Sequence, residues 1–212
     1  MNLKTAVLFC SIKYNICNNE KIRKRGGVLS IGSEYLLAVK KRFESMKALG
    51  DKTFNQLSEE DIHWTLNEAS NSIAIIGKHM SGNMISRWTD FLTSDGEKLN
   101  RNRDSEFEDN NITKRNLQSM WENGWHVLMK ALNELKEEDL LKIVYIRGED
   151  HSVIEAIERQ LAHQSYHVGQ IVYIGKLIKN KEWKNLSIPK GKSDDYLRQM
   201  LEQNANEKRS YH

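Results

Sequence analysis

The sequence predicts an all-α protein, a four-helix bundle with long connecting loops. Three observations predict it. Four long stretches place apolar residues three and four apart, the spacing of one helix face. A single proline, Pro189, and 12 glycines punctuate 212 residues, which is too little turn chemistry for a many-stranded sandwich or barrel. Hydrophobic residues make up 39% and charged residues 29%, a balance that supports a packed core and excludes collagen-like and disordered classes. No apolar run approaches the ~20 residues of a membrane-spanning helix, so no membrane partner is expected.

The elements follow in order. Ser30 or Ser33 caps a first helix whose inward stripe is Ile31, Tyr35, Leu36, Val39, Phe43, Met46 and Leu49, with Gly50 as its stop. A turn at Ser58–Asp61 carries His63 and Trp64. A second helix is expected from about Glu68 to Leu92, with Ile73, Ile76, Met80, Met84, Arg87 and Phe91 on one face. Residues 93–111 are polar apart from Leu99 and Phe107 and read as a long loop, which in a compact domain is often functional. Thr113 caps a third helix to about Leu135, with Leu117, Met120, Trp121, Trp125, Leu128 and Leu132 inward. Leu141–Arg147 is β-rich and reads as an extended connector ended by Gly148. Ser152 caps a fourth helix to about Ile178, with Ile154, Ile157, Leu161, Val168, Ile171, Val172 and Ile178 inward. Ser193 caps a last short helix, and residues 205–212 read as a tail.

Charge is unevenly spread. Of 32 basic and 29 acidic residues, residues 1–27 take six basic and one acidic, leaving 26 and 28 to the other 185. The body is therefore not a basic nucleic-acid binder. Both cysteines, Cys10 and Cys17, also lie in residues 1–27. A body without cysteine has no disulfide framework, which suits a cytoplasmic location. The apolar stretch Ala6–Cys10 is too short for a secretory signal. Residues 1–27 are expected to be either a disordered or weakly helical extension, or sequence upstream of a true start near Val28 or Leu29, since Arg25-Gly26-Gly27 is what a purine-rich ribosome-binding site would encode. The main domain is then 28–204.

Seven histidines concentrate the chemistry. His163 and His167 stand four apart on the fourth helix, so their rings project from one face in the spacing that lets two imidazoles share one ion. No glutamate follows His163, which argues against a zincin protease, and the pair alone does not specify a metal. His79, midway along the second helix beside its core face, adds a third nitrogen that a helical bundle can bring against the pair, leaving a fourth position for water. His63, His126, His151 and His212 read as surface or capping residues. Asn83 and Gln170 lie on the same stripes and can hydrogen-bond ligand rings or bound water. Arg101, Arg103 and Glu106, on the long loop, either face a substrate or form surface ion pairs.

These residues carry a resemblance. Ser72–His79 in one helix and His163–Gln170 in a later one resemble the DinB-like superfamily of metal-binding four-helix-bundle proteins. The stretches 82–88, 94–98, 101–107 and 186–191 resemble an uncharacterised branch of it, and the likeness spans about residues 30–198. The resemblance implies one divalent ion, zinc or nickel, on His79, His163 and His167. Some relatives with this triad are thiol-dependent transferases or isomerases acting with bacillithiol, mycothiol or glutathione. What it implies here is a metal-dependent low-molecular-weight-thiol S-transferase or isomerase with a small-molecule substrate, in which the ion would hold the co-substrate thiol as thiolate. The alternative is a non-enzymatic metal-binding or stress-linked helical protein whose ion staples the bundle. A homodimer is expected.

Overall fold

The computed structural model describes residues 30–209. The expectations for residues 1–27, for both cysteines and for His212 lie outside those residues. The described chain is mostly helical, and no helix in it is long and apolar enough to cross a membrane.

Helix α1 is Ile31–Phe54, and the Ser30 hydroxyl accepts from Ser33 N at its start. It continues through Gly50, where the sequence predicts a stop. A β-carbon at Gly50 would lie 2.3 Å from the Trp121 ring, and Trp121 donates its indole N–H to Asp51 at 2.7 Å. The close ring packing outweighs the roughly 1 kcal/mol that glycine costs a helix interior. Gly50→Ala is accordingly expected to destabilise the fold by about 1–3 kcal/mol despite alanine's better helix propensity. Urea denaturation reads this directly, and an unchanged or raised midpoint would contradict it.

Helix α2 is Ile73–Trp88. The expected start near Glu68 is too early. Asn67 accepts from Ala69 N at 3.1 Å and from the Ser70 hydroxyl at 2.8 Å, a side-chain turn that competes with helix, and Ser72 supplies the cap instead. The helix ends at Trp88 rather than Leu92 because Thr89 is extended and Asp90 takes a positive φ of 49°. Phe91 still reaches the core by stacking on Trp88, with ring centroids 4.3 Å apart. Helix α3 is Lys114–Glu134, capped by Thr113, and α4 is Val153–Lys179, opened by a reciprocal Ser152–Glu155 capping box. Helix α5, Ser193–Arg209, is longer than expected and runs past residue 204.

Helices α1 to α4 pack on one another, α2 mainly against α3 and α1 mainly against α4, around a core that includes Phe43, Phe54, Met80, Met84, Trp121, Trp125 and Ile157. Two inward assignments fail: Ile31 is 92% exposed, and Met120 lies at the surface. Ile31 stands at the helix's first position, on the side away from Glu137 and Leu140, which the neighbouring Gly32 meets, and Met120 occupies the edge of an arc that Trp121 and Leu117 already fill.

The chain is not all-α. The connector 141–147 is half of a hairpin: β1, Ile143–Ile146, pairs antiparallel with β2, Glu149–Ser152, through a two-residue Arg147-Gly148 turn with both residues at positive φ. Val144 and Ile146 face the core, while Ile143 and Tyr145 face outward. The long loop grips this hairpin. Gly96 N donates to Tyr145 O at 2.7 Å, and the Asp95 carboxylate accepts from Arg147 N at 2.9 Å and Gly148 N at 2.8 Å.

Candidate metal centre

Helix α2 is buried around most of its circumference, because α3 and α4 cover one side and the long loop covers another. His79 therefore lies inside the protein. It meets α4 where His163 and His167 project, and the three ligand nitrogens lie within 4.8 Å of one another. Ring centroids are 5.2 Å apart for His79–His163, 5.0 Å for His79–His167 and 4.6 Å for His163–His167.

Each ring's second nitrogen shows how it is held. His79 Nδ1 lies 2.9 Å from the buried Glu106 carboxylate, which accepts a hydrogen bond from it and turns Nε2 toward the other histidines. His167 Nδ1 lies 2.8 Å from Gln170 Oε1, with the same consequence. His163 Nδ1 is buried with no partner, so packing alone orients that ring. His79 Nε2 and His163 Nε2 stand 3.1 Å apart. Two nitrogens at ordinary zinc–nitrogen distances in a tetrahedron are ~3.3 Å apart. Two bare lone pairs at that separation repel unless a proton or a cation lies between them, so the donor set fits a divalent ion.

Two of the rings are also held toward the neutral form. Burial pushes the His163 imidazole down to about 3, and the neighbouring His167, His79, Arg87 and Arg101 push in the same direction. Burial lowers His167 as well, against the opposing hydrogen bond to Gln170. Neutral imidazole is the form that ligates a metal.

Glu106 sits on the long loop within a short 3-10 turn, Asp104–Phe107. Lys78 of α2 holds that turn by donating to Ser105 O at 3.0 Å and Glu108 O at 2.7 Å. Gly82 makes room, since a β-carbon there would meet the Glu106 carboxylate. Burial alone would raise the Glu106 carboxyl, but hydrogen bonds from His79 and Arg101 outweigh it and hold it below its ordinary value. Arg101 grips the carboxylate at 2.8 and 2.9 Å. Glu106→Gln is expected to weaken zinc or nickel binding about tenfold or more, as losses of a histidine's carboxylate partner do. Competition against a chromophoric chelator measures this, and an affinity equal to wild type would remove Glu106 from the site.

The other expected site residues divide. Gln170 bonds a candidate ligand ring. Asn83 does not; its Oδ1 accepts from Gln160 Nε2 at 3.0 Å. Asn83, Arg101 and Arg103 border a cavity of about 190 Å³ that His79 and His163 also line. Arg87, Arg147 and Arg159 complete its basic wall; helical spacing marks Arg87 only as an inward residue of the second helix and gives no signal for the other two. Gln170 borders a second, more apolar groove of about 370 Å³ lined by Trp64, Leu66, Tyr166 and Tyr173. His63 lies apart from the cluster and ties the loop end, with Nε2 3.0 Å from Ile112 O and Nδ1 3.2 Å from the Asp109 carboxylate.

Fold and site thus define a mostly helical protein with a three-histidine cluster, buried at His79 and half-buried at His163 and His167, that opens onto an arginine-lined cavity. Residues 30–192 match the family described as Protein of unknown function (DUF1572), and the chain belongs to that family. No curated protein matches it.

Proposed function

We propose that this chain binds one divalent ion, zinc or nickel, on His79, His163 and His167 within a DinB-like four-helix bundle formed by residues 28–204, and serves a low-molecular-weight-thiol S-transferase or isomerase reaction. The observation that carries the metal reading is the convergence of three imidazoles, one of them held through Nδ1 by a buried carboxylate. A bound ion would supply a Lewis-acid position at which thiolate is favoured over thiol at neutral pH. The protein's own residues supply orientation. Glu106 and Gln170 keep the proton of His79 and His167 on Nδ1, and the packed ring of His163 completes the set.

The cavity reaching His79 and His163 favours an exchangeable position over a closed structural site. That favours the catalytic reading over the alternative, a non-enzymatic or stress-linked protein with a stapling ion. The thiol itself rests on the resemblance to DinB-like proteins. A homodimer and a cytoplasmic location belong to the same reading, and light scattering on the purified protein tests the dimer.

Cobalt substitution tests the thiol. Adding glutathione or bacillithiol to cobalt-loaded protein is expected to produce a sulfur charge-transfer band that reverses on dilution, with apparent affinity rising with pH until the thiol is ionised. A spectrum unchanged at saturating thiol would move the function to water activation or a structural ion.

A further inference from the structure

We propose that the cavity beside His79 and His163 binds a small organic anion carrying at least two negative charges on carboxylate or phosphate groups. This deepens the metal-site reading and rests on it only for what lies next to the bound anion; the arginines carry the anion site themselves. Guanidinium groups of Arg87, Arg101, Arg103, Arg147 and Arg159 line the cavity, and among the described residues no acidic side chain does. They come from α2, the long loop, the hairpin turn and α4, so tertiary folding has gathered like charges from four separate segments.

Two carboxylates offset only part of that charge. Glu97 pairs with Arg147 at 3.0 Å and with Arg101 at 3.4 Å, and Glu106 pairs with Arg101 at 2.8 Å. Among the described residues, no carboxylate pairs with Arg87, Arg103 or Arg159. One nitrogen of Arg87, Nη1, is buried without any hydrogen-bond partner. Burial, and then the like charges of Arg159 and Arg147, lower that guanidinium to about 10. Gathering cations in a partly dehydrated cavity is costly unless an anion neutralises them, and guanidinium forks match carboxylate and phosphate oxygens. With its Oδ1 occupied by Gln160, Asn83 has its NH₂ group left to donate. The volume, about 190 Å³, suits a small headgroup.

Calorimetric titration of inorganic phosphate and of malonate into chelator-treated protein tests this, because no metal is then present to hold either probe. Stoichiometric binding is expected, weakened about tenfold or more in Arg87→Gln and in Arg159→Gln. Arg159 is exposed, so its replacement leaves the core intact. Lys176→Gln, an exposed cation elsewhere on α4, should bind as wild type does. Tighter phosphate than malonate identifies a phosphate ligand, and the reverse identifies a carboxylate. No binding of either probe, or unchanged binding in both arginine variants, overturns the inference. Zinc uptake by the same preparations separates the two readings: phosphate bound without zinc uptake removes the metal centre and keeps the anion site, and zinc uptake without anion binding does the reverse.

Discussion

His163→Ala is expected to leave the protein folded but unable to retain a divalent ion. His163 reaches both partners, with Nε2 3.1 Å from His79 Nε2 and its ring 4.6 Å from that of His167. Its loss leaves two imidazoles and no third protein donor. Structural zinc sites bind with ~10–16 kcal/mol spread over their ligands, so one ligand in three is worth roughly a few hundredfold to several thousandfold in affinity. The fold should survive, because His163 Nδ1 makes no hydrogen bond that the substitution would break. Elemental analysis of tag-free protein after gel filtration, beside circular dichroism, measures both. About one ion per chain retained in a folded variant would show that the cluster does not hold the metal.

The second large effect is a loss of stability in mild acid, read on chelator-treated protein. The ordinary imidazole value is 6.5, and the folded protein holds His163 down to about 3. The unfolded chain therefore takes up a proton below pH 6.5 that the folded chain refuses. The contribution of His163 is complete above 6.5 and drains away as pH falls toward 3, with His167 shifted the same way. Full linkage would amount to about 3 kcal/mol by pH 4, and solvent reaching the edge of the ring trims this to about 2. Carboxylates held below their ordinary values, Glu106, Asp61 and Asp95 among them, add their own losses only at lower pH. Urea midpoints at pH 7.5, 5.5 and 4.5 should thus fall stepwise in wild type and fall less in His163→Ala. A flat wild-type profile over that range would contradict the buried, neutral state of the ring. In loaded protein the same acid range should release the ion, since protons compete for the ligand nitrogens.

Much of the architecture was legible from local pattern. The caps at Ser30, Thr113 and Ser152 start helices where the sequence places them, because a hydroxyl before an apolar stripe satisfies free backbone N–H groups in any context. The i, i+4 relation of His163 and His167 needed only helical geometry, and His79 followed from its place beside the core face. The errors fall where a partner outside the local stretch decides the outcome. Gly50 reads as a stop until Trp121 is seen lying against it, and residues 141–147 read as a connector until β2 supplies their hydrogen-bond partners.

The sequence by itself determined a mostly helical chain with three histidines on two helices, because periodicity and spacing are properties of neighbouring residues. Only the tertiary structure decided that those histidines converge, that Glu106 reaches His79 from 27 residues away in a loop without period, and that five arginines from four segments share one cavity. The reason is physical. A helix face is written in every third or fourth residue, whereas a polar contact between distant segments depends on how packing, a pinned loop and a glycine-sized gap bring them together, and no local spacing records it.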